Sequence, residues 1–179
     1  MSAYGSRYIF FYGHHSRYGG KHYLSNWCPS PFVSEEELET DESPHVYENN
    51  EQYMMAEKAR LFGDYEALAK ILGNGDPAFC KKWGRRVKGF DAAIWDNNCK
   101  KIVSKGIYYK FSQNGDMGDY LVSTGDKILV ETNPHDKIWG IGITAHEASR
   151  TLPSQWPGTN YLGKCLMEVR AKLTVRGEH

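Results

Sequence analysis

The chain has 179 residues, and its 22 basic residues balance 22 acidic ones, for a formal net charge of zero. That length suits one domain with a sizeable core. The balance gives no global basic field to hold duplex DNA or a membrane, so nucleic acid can enter only through a local site. Cys28, Cys80, Cys99 and Cys165 form no CxxC pair, which points to reduced thiols in an intracellular compartment, cytoplasmic or nuclear. No basic segment followed by an apolar run opens the chain, so no signal peptide is expected. No apolar stretch approaches the ~20 residues of a membrane helix.

In chain order, Arg7 to Tyr12 reads as a short strand of aromatic and branched residues, followed by a glycine- and histidine-rich loop from Gly13 to Tyr23. Ser34 to Asp41 is an acidic run expected to be a solvated surface loop. Val46 and Tyr47 lead into a helix that opens at Asn49-Asn50-Glu51-Gln52, with asparagines at the cap and a carboxylate in the first turn. Asp64 can cap Tyr65 to Leu72, which stops at Gly73, and Asp76-Pro77 starts another helix. Asp91 can cap Ala92 to Phe111, where Ile94, Trp95, Ile102, Val103 and Ile107 give a buried face. Asp116 can cap a short helix through Val122. Lys127 to Glu131 alternates as a strand, with Ile138 to Ile143 as its expected antiparallel partner. Asn160 to Leu173 closes the chain as a helix. The elements are not interleaved in the βαβ manner. The expected fold is therefore a compact α+β domain, mainly helical, with a small antiparallel sheet; no repeat or linker divides it.

Glu51, Met54, Met55 and Lys58 share one face of the first long helix, because positions i, i+3, i+4 and i+7 overlap. At about 10 Å apart along the axis, Glu51 and Lys58 cannot pair directly. Burying both on an apolar face is costly unless a substrate lies between them. An enzyme cleft follows as the leading reading. Asp136 sits in a proline-fixed turn before Trp139-Gly140-Ile141-Gly142, where it is either an active-site acid or an aspartate bonded to its own turn. The glycines either admit a ligand close to the backbone or bend a strand. Asn160 and Gly163 fall in the first turn of the last helix, where free amides can hold an anion, although ordinary capping explains Asn160 equally well. Arg85 either holds a phosphate or offsets a helix dipole. Trp27, Tyr53 and Trp139 either stack on a base or pack the core. His14, His15 and His22 share a loop without the spacing of a zinc site. No GxSxG, Walker loop, GxGxxG or HExxH is present.

Ser25-Asn26-Trp27, Asn50-Glu51-Gln52-Tyr53-Met54, Glu57-Lys58-Ala59, Leu129-Val130-Glu131 and Asp136 to Gly142, with Asn160-Tyr161-Leu162-Gly163 and Leu166 to Arg170, resemble the signature of the NADAR/YbiA-like family. The match runs from about Tyr8 to Leu173 with the motifs in family order. The resemblance implies a mainly helical YbiA-like fold and N-glycosidase chemistry. Some relatives hydrolyse ribosylamino-pyrimidine intermediates of riboflavin synthesis, and others remove ADP-ribose from guanine bases. By matching position, Glu51, Lys58 and Asp136 are the expected catalytic residues. Asn26, Trp27, Arg85, Trp139, Gly140 and Asn160 are expected to bind ligand, with Tyr53 and Gly163 added from their place in the motifs.

Three departures stand out. Glu48-Asn49 replaces the family's usual link before the glutamate. Cys99 stands where a basic residue commonly follows the tryptophan of the long helix, which puts a phosphate contact from that turn in doubt. The acidic stretch from about Ser34 to Glu42 is an insertion that can alter access to the cleft. The resulting expectation is an N-glycosidase acting on ADP-ribosylated guanine in nucleic acid. The alternatives are a glycosidase of phosphoribosylamino-pyrimidines and a non-catalytic ADP-ribose-binding module. Lys58 either binds a phosphate or ribose hydroxyl, or attacks the anomeric carbon to form a Schiff base. No cofactor, metal, membrane or obligate protein partner is expected.

Overall fold

The computed structural model describes residues 7–39 and 43–177. Among these residues are eight α-helices and four short strands. They belong to two units, one spanning residues 26–115 and one built from both ends of the chain, residues 1–25 with 116–179. None of the described helices is long and apolar enough to cross a membrane.

The unit spanning residues 26–115 is mainly helical. Strands β1 (Tyr8–Phe11) and β4 (Ile128–Glu131) belong to the other unit, whereas β2 (Phe32–Val33) and β3 (Val46–Tyr47) form an antiparallel pair here. α2 (Asn50–Phe62) is the hub, packing against α3 (Tyr65–Leu72), α4 (Pro77–Gly84) and α5 (Ala92–Gln113). Each helix starts where the sequence predicts. The side chains of Asn49, Asp64, Asp76 and Asp91 accept from the backbone N–H of Gln52, Ala67, Ala78 and Ile94, satisfying amides that have no partner within the helix. Gly63 ends α2 in the left-handed region at φ 70°, where a side chain would be strained. Phe32, Tyr47, Tyr53 and Tyr109 pack ring against ring between β2, β3, α2 and α5.

Two expectations for this unit change. The acidic run is not a free loop: Glu35–Leu38 forms α1, and two of its carboxylates are tied down. Glu37 accepts from the Tyr47 hydroxyl at 2.5 Å and the His45 amide at 2.9 Å, and Glu36 pairs with Lys105. The remainder of that run, residues 40–42, lies outside the described residues. The buried face of α5 begins at Cys99 and continues through Val103 and Ile107, while Ile94 is exposed.

In the unit formed by the chain ends, β1 and β4 pair in parallel, with Phe10 opposite Val130. This overturns the expected antiparallel pairing of Lys127–Glu131 with Ile138–Ile143, which is not a strand. Instead, that stretch is a loop stitched to the residues before and at the start of α8 (Tyr161–Gly177): Thr159, Asn160, Tyr161 and Leu162 donate their amides to the carbonyls of Lys137, Gly140, Ile138 and Trp139. Val130, Ile141 and Ala148 form the core with Tyr8, Phe10 and Trp156 around them. The predicted loop at Gly13–Tyr23 contains 3-10 turns over Ser16–Leu24. α6 (Gly115–Ser123) takes Asp116 into its first turn, so that aspartate is not its cap. The short α7 (Ala145–Ala148) starts with a reciprocal Thr144–Glu147 capping box.

Candidate active site

The first turn of α2 buries four successive polar side chains, Asn49 to Gln52, with Asn50 0% and Glu51 5% exposed. Buried polar groups must be bonded or they destabilise the fold. Asn49 Nδ2 donates to the Gly75 carbonyl at 2.7 Å. Gln52 accepts from the Glu48 amide at 2.8 Å through Oε1, and donates to the Ile71 carbonyl at 2.9 Å through Nε2. The Glu51 amide donates to the Asn26 carbonyl at 3.0 Å, and Asn50 Nδ2 donates to Asn26 Oδ1 at 2.8 Å. The loop carrying Asn26 and Trp27 is thereby fixed to the turn that presents Glu51.

Two turns along α2, the Lys58 ammonium sits 4.7 Å from the centre of the Phe90 ring and 5.2 Å from that of Trp95. Burial lowers the pKa of this amine; the Glu51 carboxylate pulls it up, and the Arg85 guanidinium adds to the lowering. The ring faces attract the ammonium, but loss of water around the amine favours its neutral, nucleophilic form, and burial is the larger effect. On the same face, Met55 packs against Gly84, where a Cβ would overlap the methionine sulfur. That close approach of α4 to α2 sets the position of Arg85, the residue that follows α4. Lys81 lies with its Nζ 6.0 Å from the centre of the half-buried Trp27 ring. Cys80 is no nucleophile: burial first, then the nearby Glu51 carboxylate, pushes its thiol up to about 12.

Of the predicted residues, the unit spanning residues 26–115 therefore brings both Glu51 and Arg85 within electrostatic reach of Lys58 and ties Asn26 to the Glu51 turn. Tyr53 corrects an expectation. Its ring is 1% exposed in the aromatic core and burial pushes its hydroxyl pKa up, so it has no face for a base. Phe90 and Asn50 were not singled out as site residues in the sequence. Phe90 gives no periodic signal there, but Asn50 could have been found from the run of four polar residues opening an otherwise apolar helix face.

In the other unit, Asp136 Oδ1 accepts from the amides of Ile138 and Trp139 at 2.8 and 2.9 Å, so one carboxylate oxygen does serve its own turn. Trp139 is half-buried, edge-on to Tyr161 at 5.8 Å. Gly140 is packed by its own loop: a Cβ there would lie 2.9 Å from the Asp136 carbonyl oxygen and 3.0 Å from that of Glu131. Asn160, at φ 53°, accepts from the Glu131 amide and donates to the Leu129 carbonyl, bridging strand β4 and not capping α8. Gly163 lets α8 lie against the Leu129 carbonyl, which a Cβ would strike. The expected anion cradle is thus corrected: the amides of Tyr161 and Leu162 are already bonded, and Asn160 and Gly163 hold helix to strand. Among the described residues, no group of three or more His, Cys, Asp and Glu side chains is placed to hold a metal.

A NADAR domain family model matches residues 10–174. N-glycosidase R617 of Acanthamoeba polyphaga mimivirus is 44% identical over 164 residues, covering 92% of this chain and 95% of that protein. Protein irg-1 of Caenorhabditis elegans is 33% identical over 163 residues, covering 87% of this chain and 77% of that one. The NMR structure of the E. coli protein YbiA superposes with a TM-score of 0.75 at 23% identity, over 97% of this chain and 89% of YbiA, so the fold is shared. With a family model and a full-length relative agreeing over both units, the chain belongs to the NADAR family.

Proposed function

We propose that this protein is an N-glycosidase that removes ADP-ribose from ADP-ribosylated guanine in nucleic acid. The observation that carries the reading is a buried carboxylate, Glu51, sharing a helix face with an amine, Lys58, whose pKa burial depresses. Likeness to a viral protein named N-glycosidase supports the class of reaction. Breaking an N-glycosidic bond builds positive charge on the ribose as the base departs, and a carboxylate near the anomeric carbon stabilises it. Neutral Lys58 attacks that carbon, the base leaves with a proton, and water hydrolyses the Schiff base of the opened sugar. Lys81 and Arg85 suit a diphosphate, and Asn26 and Trp27 line the sugar or base. Asp136 and Trp139 enter the proposal on the family motif, Asp136 as the second acid and Trp139 as a ligand contact.

Release of free ADP-ribose from a guanine-ADP-ribosylated oligonucleotide tests the reading, with Glu51→Gln, Lys58→Ala and Asp136→Asn proteins alongside. The parent protein should release it and the three variants should not. ADP-ribose binding without release would make the protein a binding module. Neither binding nor release, with turnover of a phosphoribosylamino-pyrimidine, would move it to the metabolic substrate.

A further inference from the structure

We propose that Asn50 is a positioning residue that holds the Asn26 side chain with its NH2 group facing the substrate. Asn50 is the most deeply buried polar residue of the first turn of α2, at 0% exposure. Its Nδ2 donates to Asn26 Oδ1 at 2.8 Å, while its own Oδ1 has no hydrogen-bond partner. That oxygen lies against Gly106 of α5, so close that a Cβ at residue 106 would overlap it; the same Cβ would meet the Tyr53 ring at 2.6 Å. A glycine in the middle of a long helix weakens that helix relative to alanine. Room for the Asn50 amide and the Tyr53 ring is what that weakening provides.

The direction of the Asn50 amide follows from what faces it. Turned the other way, it would aim its NH2 group at the Gly106 Cα–H, which cannot accept a hydrogen bond. As it stands, a carbonyl oxygen meets a Cα–H, a weak but favourable contact. An unsatisfied acceptor is also the more tolerable of the two in native interiors. Asn26 then has no choice: its Oδ1 is taken by Asn50 and its backbone carbonyl by the Glu51 amide. Among the described residues nothing accepts from Asn26 Nδ2, on a side chain that is 8% exposed. The turn that presents Glu51 thus also fixes the Asn26 amide with its oxygen towards Asn50 and its N–H donors turned away from it. Donors in that place select a ligand atom that accepts, such as a ribose or phosphate oxygen, and reject one that only donates.

The inference rests on the proposed function for its kinetic test but not for its structural one. Side-chain amide NMR of the unliganded protein reads the Asn50 orientation directly. No strong NOE should link the Asn50 NH2 protons to the Gly106 Hα protons; a strong one means the amide is reversed and overturns the proposal. In the enzyme assay, Asn50→Asp keeps the shape and makes the group titratable. While protonated, the aspartic acid can donate to Asn26 Oδ1 as asparagine does. Once ionised it only accepts, and Asn26 must flip and turn its oxygen to the substrate. KM should therefore stay near the parent value at low pH and rise about tenfold as pH increases, a limb absent from the parent. Asn50→Ala should raise KM by a similar factor at every pH, with kcat changed less, and it carries the test if the aspartate variant does not fold. A parent-like KM in Asn50→Ala, or in folded Asn50→Asp across the pH range, overturns the positioning role. Absence of turnover by the parent itself contradicts the proposed function alone, since the NMR result stands without it.

Discussion

Lys58 on α2 and Lys110 on α5 both have amines with pKa lowered by burial, yet their surroundings differ. Lys110 is 1% exposed, over the Phe111 ring and within electrostatic reach of Cys28, and its pKa falls to about 8. Lys58 is half-buried between Phe90 and Trp95, with Glu51 pulling its pKa back up and Arg85 lowering it. A depressed amine alone therefore does not mark chemistry. Access for a substrate and a carboxylate acting on the amine add to it, and Lys58 is half-buried rather than sealed and lies in the field of Glu51.

The contrast breaks most visibly in catalysis. Removing the Lys58 amine, or exchanging the Glu51 carboxylate for an amide, should lower turnover by about 10²–10⁴-fold while the variants stay folded. Turnover near the parent value in either variant would place the chemistry elsewhere. Gly84→Ala comes next: pushing against Met55 on the Glu51–Lys58 face should destabilise the fold by about 1–3 kcal/mol, measured by urea unfolding.

Lys110→Met should leave turnover unchanged and alter the pH dependence of stability. In the folded protein Lys110 loses its proton near pH 8, while the unfolded chain keeps it to about 10.5. The unfolded state then binds more protons in that window, so this group makes stability rise from about pH 8 to 10.5. Below pH 8 both states hold the proton and its contribution is flat and least favourable. Methionine at this position should abolish the rise. Phe90→Ala should have the smallest effect. Water reaching Lys58 returns its pKa towards 10.5, so a rate that needs the neutral amine should climb at higher pH than in the parent.

These tests also divide what the sequence reveals from what it hides. The starts of α2 through α5 were legible because Asn49, Asp64, Asp76 and Asp91 act locally, each on an amide two or three residues away. The Glu51–Lys58 face was legible from helical spacing alone. The partner of β4 was not: alternation marks a strand but not its neighbour, and β1 lies 120 positions away in the register that places Tyr8 opposite Ile128. Ile138 to Ile143 alternates because Gly140 and Gly142 fit a tight loop against residues 158–162, which mimics a strand. Asn160 looked like a helix cap because its bonds to Leu129 and Glu131 are long-range. The aromatic walls of Lys58 likewise come from outside α2, Phe90 from before α5 and Trp95 from its first turn.

Reductive trapping tests the central claim most directly. The parent protein, incubated with a guanine-ADP-ribosylated oligonucleotide and borohydride, should lose activity and carry an ADP-ribose adduct that peptide mapping places on Lys58. An adduct on Lys110 or another lysine, or undiminished turnover with no adduct, would contradict the assignment of Lys58 as the reacting amine.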